Sequence, residues 1–208
     1  MKIIKLKPLS EIATNSYIVC SDDKNAVLID APADADYIIS QLKENGLTLK
    51  KILLTHGHID HTGAVYDLAE KTECEVYIHS GDNSKLYDAD LCLSNHLGIS
   101  FKPYRSAKAL ENGDIITQDE LKFEVISTPG HTSGSVCYIC DDVMFSGDTL
   151  FYRSVGRTDM IDGDSVKLIE SLKKLKKINF DYTVYSGHGT PTSLSDEKAL
   201  NPYMGRLA

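Results

Sequence analysis

The chain has 208 residues, with 22 basic and 30 acidic side chains and a formal net charge of -8. A chain of this length can bury its own core, and it favours one elaborated domain over residues 1–208. The acidic balance argues against a broad nucleic-acid-binding surface, and apolar runs far shorter than a bilayer span argue against a membrane segment.

The first half of the chain alternates predicted strands and helices. Residues 14–20 and 26–30 predict a hairpin, and residues 34–45 have apolar side chains at helical spacing. A short apolar strand at 51–55 runs directly into a histidine-rich loop, after which helical spacing resumes. A further strand is predicted at 75–78, so we expect a sheet with helices on its outer face.

The second half is richer in strands. The apolar residues of 80–107 follow neither the helical period nor the two-residue period of a strand, so we predict an irregular insertion near the functional site. Asp164 can cap a helix whose leucines form one apolar stripe. Strands are predicted at residues 114–117, 121–127, 135–140, 143–146 and 182–186. The chain therefore has two β-rich halves, and no linker separates them.

The histidine-rich loop supplies four candidate metal ligands within six residues, namely His56, His58, Asp60 and His61. In an extended loop, His56 and His58 project to the same side and can bind one ion at about 2.0 to 2.1 Å. Asp60 and His61 begin a helix and point in another direction. This geometry favours two adjacent ions over one.

Three later strand ends also place a ligand-type residue among glycines and small residues, and these residues are His131, Asp148 and His188. Each is a weak signal alone. With the first loop they complete a pattern that resembles the metallo-β-lactamase superfamily, whose His-x-His-x-Asp-His signature is followed by His, Asp and His. The resemblance implies an α/β fold of the αββα four-layer sandwich type. It also implies His56, His58 and His131 for one ion, Asp60, His61 and His188 for the other, and Asp148 between them.

Within the superfamily, the sequence most resembles small single-domain hydrolases of the glyoxalase II type, the hydroxyacylglutathione hydrolase-like group. Residues 155–159 and 187–192 carry this closer resemblance, together with the histidine loop. Asp148 disfavours true β-lactamases, which usually have Cys or Ser there, and His58 disfavours flavodiiron proteins. Only residues 195–208 follow the last predicted strand, so we expect glutathione contacts to differ from those of two-domain relatives.

The function implied is a binuclear metal-dependent hydrolase, acting as a thioesterase on a small acyl-thiol of the hydroxyacylglutathione type. A water that bridges two ions has its pKa lowered far below the bulk value of about 15.7, so a bridging hydroxide would attack the thioester. Asp60 would orient this nucleophile and is the candidate catalytic residue. Zinc is the first choice of metal, with iron or manganese as alternatives.

Other functions remain open at this point. A mononuclear iron enzyme similar to persulfide dioxygenases shares the fold and a Gly-Arg-Thr-Asp stretch, but it needs only two histidines and one carboxylate. Seven ligands therefore favour hydrolysis. A non-catalytic metal-binding module and an RNA-processing nuclease are less favoured, the nuclease because of the acidic charge. We expect a small-molecule substrate, and the sequence does not define the oligomeric state.

Two residues near the signature loops are candidates for substrate binding. Arg157 could bind a substrate carboxylate, since a guanidinium forms bidentate pairs with carboxylates. An ion pair with Asp159 or Asp162 is nearly as strong an alternative for Arg157. Tyr152 is a candidate by composition only.

Several other polar residues favour structural interpretations. We expect His79 to be a hydrogen-bonded interior histidine and His96 to lie on the surface or on a lid. Asp30 either accepts a hydrogen bond from a ligand histidine or forms a turn. Cys137 and Cys140 lie three apart in a predicted strand, so they point to opposite faces and cannot chelate together. The odd number of cysteines and the absence of an apolar leader favour a cytoplasmic location.

Overall fold

A computed structural model describes residues 1–10 and 12–205 of the chain. The strands of its first sheet lie side by side in chain order. The first three strands pair antiparallel, and the third to the sixth pair parallel. They are β1 (Lys2–Lys5), β2 (Tyr17–Cys20), β3 (Asn25–Ile29), β4 (Thr48–Leu53), β5 (Glu75–His79) and β6 (Lys108–Leu110).

Six strands of the described residues form the second sheet. They are β7 (Ile115–Gln118), β8 (Leu121–Ser127), β9 (Val136–Cys140), β10 (Val143–Gly147), β13 (Thr183–Ser186) and β14 (Thr192–Ser193). They lie in the order β14-β13-β10-β9-β8-β7, and all neighbours pair antiparallel except β10 and β13, which are parallel. A separate hairpin, β11 (Leu150–Phe151) with β12 (Ser154–Val155), follows β10.

In the part of the chain that the structure describes, six α-helices and one 3-10 helix lie between or after the strands. They are α1 (Ala35–Glu44), α2 (Ile59–Thr62), α3 (Val65–Thr72), the 3-10 helix Ser80–Leu86, α4 (Ser94–Leu97), α5 (Ser165–Lys176) and α6 (Leu194–Leu200). Within the described ranges, no helix is long and apolar enough to cross a membrane.

Strand β2 shows how the layers arise. Tyr17 and Val19 pack against the second sheet, whereas Ile18 packs towards the helices, as the two-residue period of a strand requires. Three apolar cores result: one between the first sheet and helices α1 and α3, one between the two sheets, and one between the second sheet and α5. The predicted α/β class and αββα sandwich are confirmed.

The capped helices agree best with the sequence-based expectations. Asp34 precedes α1 and its side chain accepts from the Tyr37 amide, while Gly46 beyond the helix has a φ of 65°. Asp164 accepts hydrogen bonds from the amides of Val166 and Lys167 at the start of α5. Side-chain caps of this kind lie within a few residues of their partners, so sequence locates them well.

Strand boundaries were predicted less well. The predicted strand 51–55 is displaced, because β4 begins at Thr48 and ends at Leu53. Strand β2 begins at Tyr17 because Thr14 and Asn15 turn their side chains to the loops of the functional site. The predicted insertion 80–107 is only partly irregular, since it contains the 3-10 helix and α4.

Candidate metal centre

The histidine-rich loop joins β4 to α2 and supplies ligands in two directions. The ring centroids of His56 and His58 are 4.8 Å apart, in agreement with their predicted projection to one side. Asp60 and His61 lie on α2, a single buried turn. One short loop therefore serves two neighbouring groups of side chains.

The first ligand group consists of His56, His58 and His131. His131 comes from the loop between β8 and β9, and its Nε2 lies 3.0 Å from Nδ1 of His58. The His56 and His131 rings are 4.8 Å apart. All three residues are buried, with at most 2% of their surface exposed.

The second ligand group consists of Asp60, His61 and His188. His188 follows β13, and its Nε2 lies 3.4 Å from Oδ2 of Asp60 and 3.4 Å from Nε2 of His61. Oδ2 of Asp60 is 3.5 Å from Nε2 of His61. The His188 side chain is 25% exposed, so this group is open to solvent on one side.

Asp148, which follows β10, lies between the two groups. Its Oδ1 is 3.4 Å from Nε2 of His61, and its Oδ2 is 3.5 Å from Nε2 of His131 and of His188. A carboxylate with neighbours in both groups occupies the position expected of a bridging ligand.

The donor atoms fit divalent metal ions. Nε2 of His56 and Oδ1 of Asp148 are buried and have no hydrogen-bond partner in the described part of the chain, which is costly unless something binds them, and Nδ1 of His58 faces Nε2 of His131 in the same group. Ligands at 2.0 to 2.1 Å from a tetrahedral ion lie about 3.3 to 3.4 Å apart, close to the spacing of the second ligand group. Imidazoles with carboxylates suit zinc, iron and manganese.

Proton affinities differ between the two groups. Burial lowers the pKa of His56 well below its usual value and that of His58 to about 4, so both are neutral at pH 7. Burial also acts on His61 and His188, but the neighbouring carboxylates outweigh it and raise the pKa of His188 to about 9. The nearby histidines outweigh burial at Asp60 and lower its pKa to about 2. In the metal-free protein, His61 and His188 of the second group therefore carry protons at pH 7.

Asp30 orients one ligand of the second group. Its Oδ2 lies 2.8 Å from Nδ1 of His61 and accepts from the Thr55 hydroxyl at 2.8 Å, while its Oδ1 accepts from the Thr55 amide at 2.8 Å. The hydroxyl of Thr55 also lies 3.2 Å from Nδ1 of His56. Of the two roles weighed for Asp30, the structure shows the hydrogen bond to a ligand histidine. Such bonds leave Nε2 of His56 and His61 directed into the centre.

The metal centre forms the floor of a cavity of about 520 Å³. The cavity walls are mainly apolar, and Arg157 lies at their edge. The apolar lining residues are Ile12, Leu93, Leu97, Phe151, Val155 and Met160. Leu93 and Leu97 come from the 80–107 segment, so that segment does lie near the site as predicted.

The structure treats the two substrate-binding candidates differently. Arg157 lines the cavity, but its guanidinium makes two hydrogen bonds of 2.7 Å to Asp159, so the ion pair that was the alternative is present. The backbone carbonyl of Arg157 accepts from Nδ1 of His131 at 2.8 Å. Tyr152 is exposed, stacks with Arg153 and is not among the residues that line the cavity.

The remaining histidines and cysteines lie where the structural interpretations place them. Nε2 of His79 is 3.0 Å from the Ser127 hydroxyl and Nδ1 accepts from an amide, whereas His96 is exposed on α4. Cys137 packs in the core under α5 and Cys140 in the core between the sheets. They point to opposite faces of β9, and neither joins the metal centre.

Sequence reasoning missed three residues at the site. The Thr14 hydroxyl donates to Oδ2 of Asp60 at 3.0 Å, although nothing in the sequence near Thr14 signals this contact. Asp82 and Lys85 form a buried ion pair of 2.8 Å beneath the ligand loops. Their i, i+3 spacing could have predicted the pair, but such pairs usually lie on the surface.

Family comparison agrees with this geometry. A model of the metallo-beta-lactamase superfamily matches residues 9–188. The chain therefore belongs to this superfamily, and it is a metal-dependent hydrolase by family. It is 34% identical to hydroxyacylglutathione hydrolase GloC of Haemophilus influenzae, across 97% of each chain.

Solved structures of similar chains cover almost the whole molecule. BLEG-1 B3 metallo-beta-lactamase aligns with a TM-score of 0.91 and 37% identity, over 98% of this chain and 99% of that one. TTHA1623 in a di-iron-bound form aligns with a TM-score of 0.87 and 33% identity, over 96% and 99%. ETHE1 from Myxococcus xanthus aligns with a TM-score of 0.81 and 30% identity, over 99% and 85%.

Proposed function

We propose that the chain is a binuclear thioesterase that hydrolyses small acyl-thiols of the hydroxyacylglutathione type. The observation that carries the proposal is the pair of ligand groups flanking Asp148 at the floor of an open cavity. A pair of ions is suited to hydrolysis, because both the attacking and the leaving atom can be stabilised. The name of the GloC relative supports the substrate class.

Bound divalent ions would supply Lewis acidity, which lowers the pKa of water and polarises a substrate carbonyl. Asp60 lines the cavity, and its lowered pKa of about 2 keeps it a hydrogen-bond acceptor that can orient a water molecule. The Thr14 hydroxyl fixes the Asp60 carboxylate from the other side. A thiolate leaves with little proton transfer, since a free thiol has a pKa of about 8.5.

The cavity suggests how the substrate is held. Its apolar walls suit a short acyl group, and Arg157 at the edge could receive a carboxylate of the thiol carrier in exchange for Asp159. We infer a small-molecule substrate from these features and from the net charge of -8, which opposes nucleic acid.

A panel of substrates tests the proposal. Purified protein with zinc restored would be assayed on a hydroxyacylglutathione thioester, a lactone, a phosphodiester and a β-lactam, with and without chelator. We expect the thioester to be hydrolysed fastest and the activity to disappear with chelation. Turnover of the phosphodiester alone would refute the assignment.

His58→Ala should abolish thioester turnover. The control is Asp67→Asn, which changes a carboxylate that is paired with Lys102 outside the candidate metal centre.

A persulfide dioxygenase-like iron enzyme is the second candidate. Its support is the ETHE1 neighbour, together with the di-iron form of TTHA1623. Elemental analysis of protein purified without added metal, combined with an oxygen electrode, separates the two functions. One iron per chain and oxygen uptake that depends on a thiol persulfide would replace the thioesterase proposal.

The β-lactam in the panel has a specific reason. Asp148 disfavours β-lactamase activity by its residue type, yet the BLEG-1 neighbour carries the name of a B3 metallo-beta-lactamase. A β-lactam turned over faster than every thioester would reverse our order of preference.

A further inference from the structure

Asp82 is a fully buried carboxylate outside the two ligand groups. It lies on the 3-10 helix and accepts four hydrogen bonds, two on each oxygen. Oδ1 accepts from Nζ of Lys85 at 2.8 Å and from the Gly134 amide at 2.9 Å. Oδ2 accepts from the Gly57 amide at 2.7 Å and from the Thr132 hydroxyl at 2.8 Å.

The partners of Asp82 lie next to metal ligands. Gly57 stands between His56 and His58, and Thr132 follows His131 directly. The single carboxylate therefore connects the two loops that carry the whole first ligand group. Its described hydrogen bonds include none to the loops of Asp148 or His188.

Glycines bring both ligand loops into close contact with the 3-10 helix that carries this carboxylate. A Cβ atom at Gly57 would lie 2.6 Å from Cβ of Lys85, and one at Gly134 would lie 2.5 Å from the Asp82 amide nitrogen. Both loops therefore approach the 3-10 helix as closely as backbone permits. Hydrogen bonds and close packing fix the same spacing.

Lys85 allows a charged carboxylate to be buried here. Its ammonium is 3% exposed and lies 2.7 Å from Asp162 as well as 2.8 Å from Asp82. Asp162 in turn accepts from the Ser133 amide at 3.0 Å, in the loop of His131. The buried charges are thus paired and hydrogen-bonded, as buried ions require.

We propose that Asp82 is a positioning residue of the metal site formed by His56, His58 and His131. It holds the two ligand loops at one spacing before any ion binds, so binding costs less ordering of the backbone. The inference depends on the metal centre and is independent of which substrate the enzyme hydrolyses.

Asp82→Asn is the direct test. An amide in this position offers one nitrogen, which must face either Lys85 and Gly134 or Gly57 and Thr132. The backbone N–H of Gly134 or of Gly57 therefore loses its acceptor in either orientation, and Lys85 loses its charged partner. The affinities of both sites would be measured in metal-free protein by competition with a chromophoric chelator, using Zn²⁺ and Co²⁺. We expect about tenfold weaker binding at the first site, with the second site changed by less than about threefold.

Glu197→Gln is a matched control. Glu197 is also fully buried and also accepts four hydrogen bonds, from Arg153 twice and from Thr192 and Asn201. Glu197→Gln should lower the midpoint of thermal unfolding about as much as Asp82→Asn does, while leaving the metal affinity of the first site unchanged. Equal weakening of both sites in Asp82→Asn, or unchanged affinity despite a lower midpoint, would overturn the proposal.

A milder variant covers the case in which Asp82→Asn does not fold. Thr132→Val keeps the side-chain shape and removes only the hydroxyl that donates to Oδ2 of Asp82. We expect a smaller loss of affinity, roughly twofold to fivefold, again confined to the first site. Loss at the second site, or no loss at either, contradicts the positioning role. Because no substrate is present, failure of the thioesterase proposal would leave these affinities unaffected.

Discussion

The two ligand groups of the metal centre lie side by side but differ in how the protein prepares them. The first group consists of three buried imidazoles, of which His56 and His58 have lowered pKa values, on two loops joined through Asp82. The second group mixes a carboxylate with two imidazoles whose pKa values are raised, and His188 is partly exposed. At neutral pH, His56 and His58 of the first group carry no proton that an ion must displace, whereas His61 and His188 of the second group must release protons before an ion binds.

Local structure explains the difference. His58 lies on extended backbone before α2, where burial and the neighbouring imidazoles outweigh the nearby carboxylates Asp60 and Asp82. Asp60 and His61 lie on a helical turn that brings an acid beside a base, and Asp30 adds a second acid behind His61. Residues 56–61 therefore contribute ligands to two candidate metal sites of contrasting proton affinity, which His131, His188 and Asp148 complete.

Among the substitutions that compare the two groups, Asp60→Asn should give the largest effect, because it replaces the charged carboxylate proposed to orient water and to bind an ion in the second group. We expect thioester kcat to fall on the order of 10²-fold to 10⁴-fold, while the first group still binds one ion. Steady-state kinetics and metal analysis of the same preparation measure both quantities. Turnover at the wild-type rate in this variant would contradict the proposed mechanism. Asp67→Asn controls for the loss of a carboxylate outside the metal centre.

The pH dependence of metal binding should separate the two groups. Because the pKa of His188 is raised to about 9, a proton occupies it below that pH, and metal must displace that proton. Each proton displaced from His188 or His61 contributes roughly a factor of ten per pH unit below its pKa, so affinity at the second site should rise by roughly tenfold to hundredfold per pH unit between pH 6.5 and pH 8.5. The pKa of His58 is about 4, so affinity at the first site should change little from protonation of that residue.

Chelator competition at pH 6.5, 7.5 and 8.5, followed at each site with Co²⁺ absorption, would measure both slopes. Parallel slopes at the two sites would remove the contrast in proton affinity on which the comparison depends.

Asp30→Asn should affect the second group more than the first. Asp30 contacts His61 and the Thr55 hydroxyl through Oδ2 and the Thr55 amide through Oδ1. An asparagine has only one acceptor oxygen and no charge, so one side of this arrangement is lost. We expect about 10-fold to 100-fold weaker binding at the second site, the range typical of lost outer hydrogen bonds. The site preference should be the reverse of that in Asp82→Asn. The same competition assay would contradict this if the first site lost more affinity.

The candidate metal centre was easier to locate from the sequence than the contacts that support it. The seven ligand-type residues could be found because each stands near a strand end in a recognisable local pattern, and the structure brings all seven together. The cap of α5 at Asp164 was equally predictable, since the interacting residues are close in sequence.

The supporting contacts depend on approach between distant segments. Asp82 reaches Gly57 across 25 positions and Thr132 across 50, and Thr14 reaches Asp60 across 46. No local period marks such pairs. The sequence likewise could not decide whether Arg157 pairs with Asp159 or with a substrate carboxylate, because the two carboxylates are chemically equivalent acceptors for a guanidinium.

Arg157→Ala should give the smallest effect and tests whether side chain and backbone act separately. The carbonyl of Arg157, which accepts from His131, survives the substitution, so metal affinity at the first site should stay at the wild-type value. The exposed guanidinium is lost, so kcat/KM should fall roughly twofold to fivefold for a thioester with an anionic carrier and stay constant for a neutral one. Added salt should reduce the difference between the two carriers. A loss of metal affinity without carrier discrimination would assign Arg157 to the support of the first ligand group, beside Asp82, and not to the substrate.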